Sequence, residues 1–368
     1  MKLVLSCPLG LESVAKKEIE MLGYTVLEAR DRVIIFDGDE NAVAKVNLWS
    51  RVGNKVYILL SNVKEVDTFD KLYDAVSKTP WKKFIDKNPI IVHAKSLHSL
   101  LTSTPSMQKI GKKAIVDSIW WKWKIIEEDL KLPERHIEIV LSKNEAMVML
   151  DTSGEGLHKR WYRKNAVEAP IKENLAAWLV LLSGWKFKEP FYDIFCGSGT
   201  IAIEAALIAK NMAPWIGRKF AYEGFFFFTP GLKNKVIEQA KLKVFKGEYS
   251  IIGSEIDSGN IADAKENAKN AGVWDMITFL KKDFIEYKNE PMKGSLVSNP
   301  PYGDRLEVGN IDEIYNHIKS LFKIHKELSG GVVTSYDFDN KERNQWKRRK
   351  LYNGGKEVVF YKKNIELK

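Results

Sequence analysis

The stretch Tyr192-Asp193-Ile194-Phe195-Cys196-Gly197-Ser198-Gly199-Thr200 runs directly into the helical pattern Ile201 to Lys210. An apolar strand that enters a glycine turn and then a helix brings backbone amides and a helix N-terminus up to a ligand. Gly197 and Gly199 remove side chains where the ligand must approach, and Asp193 offers a carboxylate to a cationic group on it. Taken alone, such a turn is also how an ordinary strand meets an ordinary helix. Its meaning comes from what surrounds it.

Working outward, candidate parallel strands are Phe191 to Phe195, Ser250 to Ser254, Ile277 to Leu280, Gly294 to Ser298 and Gly331 to Thr334, with helical patterns between them. That alternation predicts a doubly wound α/β sheet. Ile171, Leu175, Trp178, Leu179 and Leu182 mark an amphipathic helix ahead of it, and Arg349 to Tyr352 with Glu357 to Tyr361 read as a closing hairpin around Asn353-Gly354-Gly355. Upstream, Lys2 to Ser6 is a short strand, and Leu11, Val14, Ala15, Ile19 and Leu22 recur at helical spacing before Gly23. Thr25 to Ala29, Val33 to Phe36 and Lys55 to Asn62 are strand-like, which predicts a βαββα sandwich. A further α/β stretch reaches about Asp151, with capping residues Thr102 to Ser106 ahead of a long helix through Ile110, Ala114, Ile119, Trp120 and Trp123.

The strand ends carry the chemistry. Glu255, followed by Ile256 and Asp257, ends the second strand of the sheet, where a carboxylate accepts ribose hydroxyls. Asp283 and Phe284 follow the third, offering an acceptor for an adenine amino group and an aromatic surface. Each acid taken singly reads as a helix cap or a surface charge. Acids after three consecutive strands read together as a ligand crevice.

The fourth strand ends in Asn299-Pro300-Pro301-Tyr302. An exocyclic amine on a heterocycle is a poor nucleophile because its lone pair is delocalised into the ring. If the Asn299 side-chain oxygen and the Pro300 carbonyl each accept one N–H, the nitrogen is drawn toward tetrahedral geometry and its lone pair faces a sulfonium methyl. The prolines stiffen that turn, and Tyr302 has a ring to stack on the base. Catalysis is then positioning and hydrogen-bond orientation, with no metal and no strong base.

Composition bounds the partners. The 368 residues, 45% hydrophobic and 29% charged, allow two or three domains, and 58 Lys and Arg against 48 Asp and Glu give a charge of +10 that favours nucleic acid over an acidic protein partner. A well-solvated basic enzyme has the same balance. The two cysteines, Cys7 and Cys196, predict a reducing, cytoplasmic setting. No leader pattern and no apolar run of roughly twenty residues occurs, so neither export nor membrane insertion is expected. The six histidines are scattered in sequence, and no metal is expected. Leu157 to Lys164, Leu-His-Lys-Arg-Trp-Tyr-Arg-Lys, reads either as an RNA contact at a domain junction or as a linker whose rings pack on the next domain. Lys341, Arg343, Lys347, Arg348, Arg349 and Lys350 read as a solvated edge or an extension of a nucleic-acid surface. Phe225 to Phe228 read as core, or as a frame for a base pocket.

With these segments together, the whole chain resembles the THUMP-domain RNA guanine-N2 methyltransferases, ribosomal RNA large-subunit type. The matching segments are Thr102 to Ile119, Ala169-Pro170-Ile171-Lys172-Glu173-Asn174-Leu175-Ala176, Asp193 to Thr200, and Asn299 to Leu306. The resemblance implies a ferredoxin-like module and a THUMP region (about 45–155) within residues 1–155, a linker at 156–168, and a class I Rossmann-like methyltransferase domain at 169–368. It implies S-adenosyl-L-methionine as cofactor, held by Pro170, Asp193, Cys196, Gly197, Ser198, Gly199, Thr200, Glu255, Ile256, Asp257, Asp283, Phe284 and Asn299, with Asn299, Pro300, Pro301 and Tyr302 as the catalytic elbow. The expected activity is methylation of guanine N2 in 23S ribosomal RNA. Transfer RNA is the alternative substrate, and a glutamine side chain in a protein or a noncatalytic RNA-binding role are further ones. Trp161 and Trp215 stand where the family usually has glycine, which puts backbone geometry in question at both.

Overall fold

The computed structural model describes residues 1–86, 88–119, 132–163, 171–302, 311–338 and 345–364. Trp120, Trp123, Ala169, Pro170, Lys341 and Arg343, and the part of the matching segment from 303 to 306, lie outside the described residues.

Among the described residues two seven-stranded sheets organise the chain. The first begins with β1 (Lys2–Ser6), α1 (Glu12–Met21), β2 (Val26–Arg30), β3 (Val33–Asp37), α2 (Glu40–Trp49) and β4 (Lys55–Val63). It continues through α3 (Phe69–Ser77), β5 (Ile90–Leu97), α4 (Thr104–Ile119), β6 (Arg135–Ser142) and β7 (Glu145–Asp151). Strand order is β2-β3-β1-β4-β7-β6-β5. The nine-residue β4 is shared: Ile58 faces Leu3 of β1 on one side and Leu150 of β7 on the other. The ferredoxin-like and THUMP parts are therefore one continuous sheet.

The second sheet holds β8 (Phe191–Asp193), β9 (Ile251–Glu255), β10 (Ile277–Lys281), β11 (Gly294–Ser298), β12 (Leu328–Thr334), β13 (Trp346–Asn353) and β14 (Lys356–Lys363), in the order β10-β9-β8-β11-β12-β14-β13. Strands β8 to β12 pair in parallel, and β14 and β13 close one edge antiparallel. Helices α5 (Glu173–Ser183), α6 (Thr200–Ala209), α7 (Leu232–Lys241), α8 (Ser258–Asn270) and α9 (Ile311–Ile324) accompany it. Ten consecutive buried residues in α6 explain its unbroken apolar sequence, since it has no solvent face.

Strand β8 is shorter than the apolar run Phe191 to Phe195 suggested. The Phe195 amide donates to the Ser298 side-chain hydroxyl of β11 at 3.2 Å instead of to a strand carbonyl, and the ladder stops at Asp193. β12 and both hairpin strands run longer than their sequence pattern. Arg348 bonds the Tyr361 hydroxyl and Lys350 pairs with Glu357, which is the behaviour of a charged sheet edge facing water.

The linker segment packs rather than protrudes. Leu157, Arg160 and Tyr162 are buried, while Lys159 and Trp161 stay exposed. Arg160 Nε meets Glu204 of α6 at 3.0 Å with both side chains sealed from solvent, and Tyr162 donates to the same carboxylate at 3.1 Å. Trp215 is fully buried between the guanidinium groups of Arg160 (4.8 Å) and Arg218 (4.7 Å), and its indole N–H reaches the Ser50 carbonyl across the domain junction. Neither Trp161 nor Trp215 has a positive φ, so the backbone at both sites is within the reach of any residue. The phenylalanine run joins the same junction: Phe227 packs edge-on against Phe84 of the N-terminal body and Phe225 lies under Arg135. Phe225 and Phe228 are buried in this packing, while Phe226 stays 55% exposed.

Removing one partner of a buried ion pair leaves the other uncompensated, at a cost of about 3–5 kcal/mol. Glu204→Ala is therefore expected to lower unfolding free energy by about that amount in urea titration. A loss below about 1 kcal/mol would place the pair among surface-like contacts.

Candidate active site

The order reversal between β8 and β11 creates the crevice at the carboxyl ends of the parallel strands, where open α/β sheets bind ligands. Four strand ends meet there. Asp193 closes β8, Glu255 closes β9, Asp283 and Phe284 follow β10, and Asn299 follows β11. The Gly197 amide donates to Glu255 Oε2 at 3.1 Å, and the Cys196 amide to the Ser254 carbonyl at 2.9 Å, which pins the glycine turn to β9. Phe284 packs on Phe195 with ring centroids 4.8 Å apart, joining the β10 end to the β8 end.

Glycine is required at 199 on two counts. Its φ is +85°, and a Cβ there would come within 3.0 Å of Ala264 and 3.2 Å of Phe279. Gly197 also has a positive φ. From this turn α6 starts, and its Thr200 hydroxyl is taken by Arg163 at 2.5 Å while the Ser198 carbonyl accepts from Asn267. Arg163 also holds the Ile171 carbonyl and sits 3.5 Å from Glu173. Nothing in the linker's cation-rich composition distinguished Arg163 from its neighbours; only the fold sets it against the turn.

The acids differ in what they do. Asp193 is fully buried, its Oδ1 accepts from the Ser298 hydroxyl at 2.5 Å, and its Oδ2 has no hydrogen-bond partner among the described residues. Burial pushes its carboxyl up to about 7, against the lowering effect of Ser298 and the Phe195 amide, with Glu255 adding to the rise. Glu255 is half-buried and also accepts the Ile256 and Asp257 amides. Asp257 caps α8 through the Asn260 amide at 2.8 Å, and Asp283 accepts from the Ile285 amide at 3.0 Å with Glu286 answering from the other side. These two acids serve as caps, each held at the crevice rim. Ile256 projects, 62% exposed, while Cys196 is buried and its thiol is held well above its ordinary value by desolvation.

On the β11 side, Asn299 Oδ1 is buried and has no hydrogen-bond partner among the described residues. Two orphaned acceptors, Asp193 Oδ2 and Asn299 Oδ1, thus stand on adjacent strands of one crevice. Buried acceptors without donors are costly, and they mark where a donor-bearing ligand belongs. Pro300 is buried, and Pro301 offers its carbonyl to the Tyr315 hydroxyl at 3.2 Å. Tyr302 is only 8% exposed and belongs to the large apolar core. Its ring is turned inward, so stacking on a base requires it to move.

Among the described residues no group of three His, Cys, Asp or Glu could hold a metal, and no helix is long and apolar enough to cross a membrane. The fold does bring together two of the histidines: His93 and His136 stack with a 3.1 Å contact between ring nitrogens on the outer strands of the first sheet. A groove of about 780 Å³ runs over that sheet, bordered by Thr104 and Gln108 of α4. Arg30, Arg32, Lys95 and Lys172 line it beside Tyr57 and Met149, so cations and apolar floor lie together.

Comparison with known proteins follows the same division. The RlmL ferredoxin-like domain model matches residues 2–57, the THUMP domain model residues 66–151, and the RMKL-like methyltransferase domain model residues 160–358. The chain is 38% identical to "Putative RNA methyltransferase YpsC" of Bacillus subtilis (strain 168), covering 98% of this chain and 94% of that one. It is 34% identical to the ribosomal RNA large subunit methyltransferase K/L of Buchnera aphidicola subsp. Acyrthosiphon pisum (strain APS) over 82% of this chain, but spans only 44% of that longer relative. Among solved structures, SMU.472 in complex with SAH superposes with a TM-score of 0.89 at 34% identity, covering 100% of this chain and 98% of that one.

A buried, unpaired carboxylate burdens the ligand-free fold. Asp193 has a folded value above its unfolded one, so it favours folding least when ionised: stability is lost as pH rises from the ordinary carboxylate range through about 7. Asp193→Asn removes that loss. The ligand-free variant is expected to melt above the parent at pH 8, with the gap closing as pH falls toward 4, in parallel thermal melts. A gap that does not change with pH would show that Asp193 is not the titrating group.

Proposed function

Because this chain belongs to the RMKL-like methyltransferase family, with RlmL ferredoxin-like and THUMP domains ahead of its methyltransferase domain, we propose that it methylates the exocyclic N2 of a guanine in 23S ribosomal RNA. The methyl source is S-adenosyl-L-methionine, which when bound supplies an electrophilic methyl on a sulfonium. The observation that carries the reading is the pair of orphaned acceptors, Asp193 Oδ2 and Asn299 Oδ1, on the two strands that flank the order reversal.

The residues fit that cofactor. Gly199 lets the turn pack tightly on Ala264 and Phe279 rather than clearing space for the ligand, Gly197 supplies the second left-handed residue of that turn, and Asp193 Oδ2 would receive the ammonium group. Glu255 would take the ribose hydroxyls, Ile256 and Phe284 would give apolar faces to the adenine, and Asp283 would accept from its amino group. Cys196, Ser198 and Thr200 shape the turn beneath, and Asp257 closes the rim. Pro170 belongs to the same set by resemblance.

On the acceptor side, Asn299 Oδ1 takes one N–H of the base amine and the Pro300 carbonyl takes the other. These two bonds would rehybridise the nitrogen and aim its lone pair; as the C–N bond forms, the methyl–sulfur bond would break, S-adenosylhomocysteine would leave, and the amine's proton would pass to water. No side chain needs to act as a strong base, because the N–H becomes acidic as the C–N bond forms. Pro300 and Pro301 stiffen the elbow, and Tyr302 stacks on the base once it swings from the core. The N-terminal groove is the candidate RNA surface: Arg32 and Lys172 stand beside its apolar floor, while Arg30 and Lys95 are paired with Glu145 and Glu138. A ribosomal substrate implies the cytoplasm as compartment.

Transfer RNA and the N6 of adenine satisfy the same elbow, so the test must separate them. Labelled cofactor with hypomodified ribosomal and transfer RNA, followed by nucleoside mass spectrometry, is expected to give N2-methylguanosine in ribosomal RNA. Label in neither RNA, or only in a protein fraction, would reject the proposal. Asn299→Ala is expected to lower turnover by about two orders of magnitude, as for loss of an orienting contact. Its cofactor affinity should stay within about twofold by calorimetry, and an equal loss in both would remove Asn299 from the acceptor side.

A further inference from the structure

Ser298 ends β11 immediately before Asn299, and its side chain is fully buried. Its hydroxyl accepts the Phe195 amide at 3.2 Å and donates to Asp193 Oδ1 at 2.5 Å. A hydroxyl has a single proton to give, so the arrangement commits it to Asp193. The carboxylate, held through Oδ1, presents Oδ2 in one direction, and that is the oxygen without a partner among the described residues. Because residues 298 and 299 are consecutive, one backbone turn orients both orphaned acceptors of the crevice.

We propose that Ser298 is a positioning residue: its hydroxyl fixes the Asp193 carboxylate toward the cofactor's ammonium group and ties the cofactor turn to the acceptor elbow. The proposal rests on the cofactor reading above. Neighbouring charges do not do this work. Glu255, at the end of β9, has the same sign and raises the Asp193 carboxyl further, while the Cys196 thiol stays neutral. Strand β11 brings no titratable side chain of its own. Ser298 and the Phe195 amide are what oppose protonation of Asp193, and of the two only Ser298 can be removed by substitution.

The test compares Ser298→Ala and Ser298→Thr in the full chain by calorimetry from about pH 6 to about pH 9, the span over which Asp193 titrates. Two ligands are titrated: S-adenosylhomocysteine, which carries the ammonium, and methylthioadenosine, which lacks it. Ser298→Ala should bind S-adenosylhomocysteine about tenfold more weakly at neutral pH, the worth of one hydrogen bond to a charged group. That deficit should narrow toward high pH as Asp193 ionises, methylthioadenosine should be unaffected, and Ser298→Thr should match the parent. Equal losses for both ligands, a loss independent of pH, no loss at all, or a Thr variant as weak as the Ala variant would each overturn the proposal. If Ser298→Ala does not fold, Ser298→Cys, a weaker donor, should move the pH midpoint the same way by less, and an unmoved midpoint overturns it. A parent chain that binds neither ligand would overturn the cofactor reading itself; a parent that binds both while Ser298→Ala behaves identically would overturn only the role of Ser298.

Discussion

The Arg160–Glu204 pair holds this molecule in its working shape. Placing two charges where both side chains have no solvent exposure costs several kcal/mol per ion unless further bonds satisfy them. Here Arg160 also donates to the Leu157 and Arg51 carbonyls and stacks on Trp215, and Tyr162 joins it on Glu204 Oε1, while Oε2 has no hydrogen-bond partner among the described residues. The partners come from the N-terminal body, the linker and α6. Since α6 begins at the glycine turn, the segment that joins the two halves is fastened to the helix that starts at the crevice.

That fastening continues on both sides. Arg51 reaches the Met212 carbonyl, Asn174 reaches Asn54, and the phenylalanine run closes against Phe84. Interfaces between domains of one chain often slide because they are small and polar. This one combines aromatic packing with bonds that leave few freedoms, which holds the first sheet at a set distance from the crevice. The departure from glycine at Trp215 makes sense in these terms: the ring fills the junction between two guanidinium groups.

The crevice follows the opposite logic. Its acceptors are buried without donors, its carboxylate is uncomfortable near neutral pH, and its glycine turn uses a left-handed backbone. Local choices that lower stability gather where ligands are held, and the well-packed α6 and the buried pair beneath supply the stability that offsets them. Asp257 and Asp283 show that the same side chain serves both ends, capping one element while standing at the rim.

Much was legible in the residues alone because it depends on local rules. Alternating strand and helix patterns gave the strands of the second sheet and β1 to β4 of the first but not β5 to β7, the Gly-x-Gly turn gave the start of α6, and the acids after successive strands lie at neighbouring strand ends because residues there converge whenever the sheet is parallel. Strand pairing was not legible. That β4 serves two modules, that Ser298 rather than backbone completes the end of β8, that Arg163 takes the Thr200 hydroxyl, and that Phe225 and Phe227 pack across a junction all depend on partners far apart in the chain. Periodicity reports which face of an element is apolar; it carries no information about which distant surface that face will meet, and only the folded chain decides it.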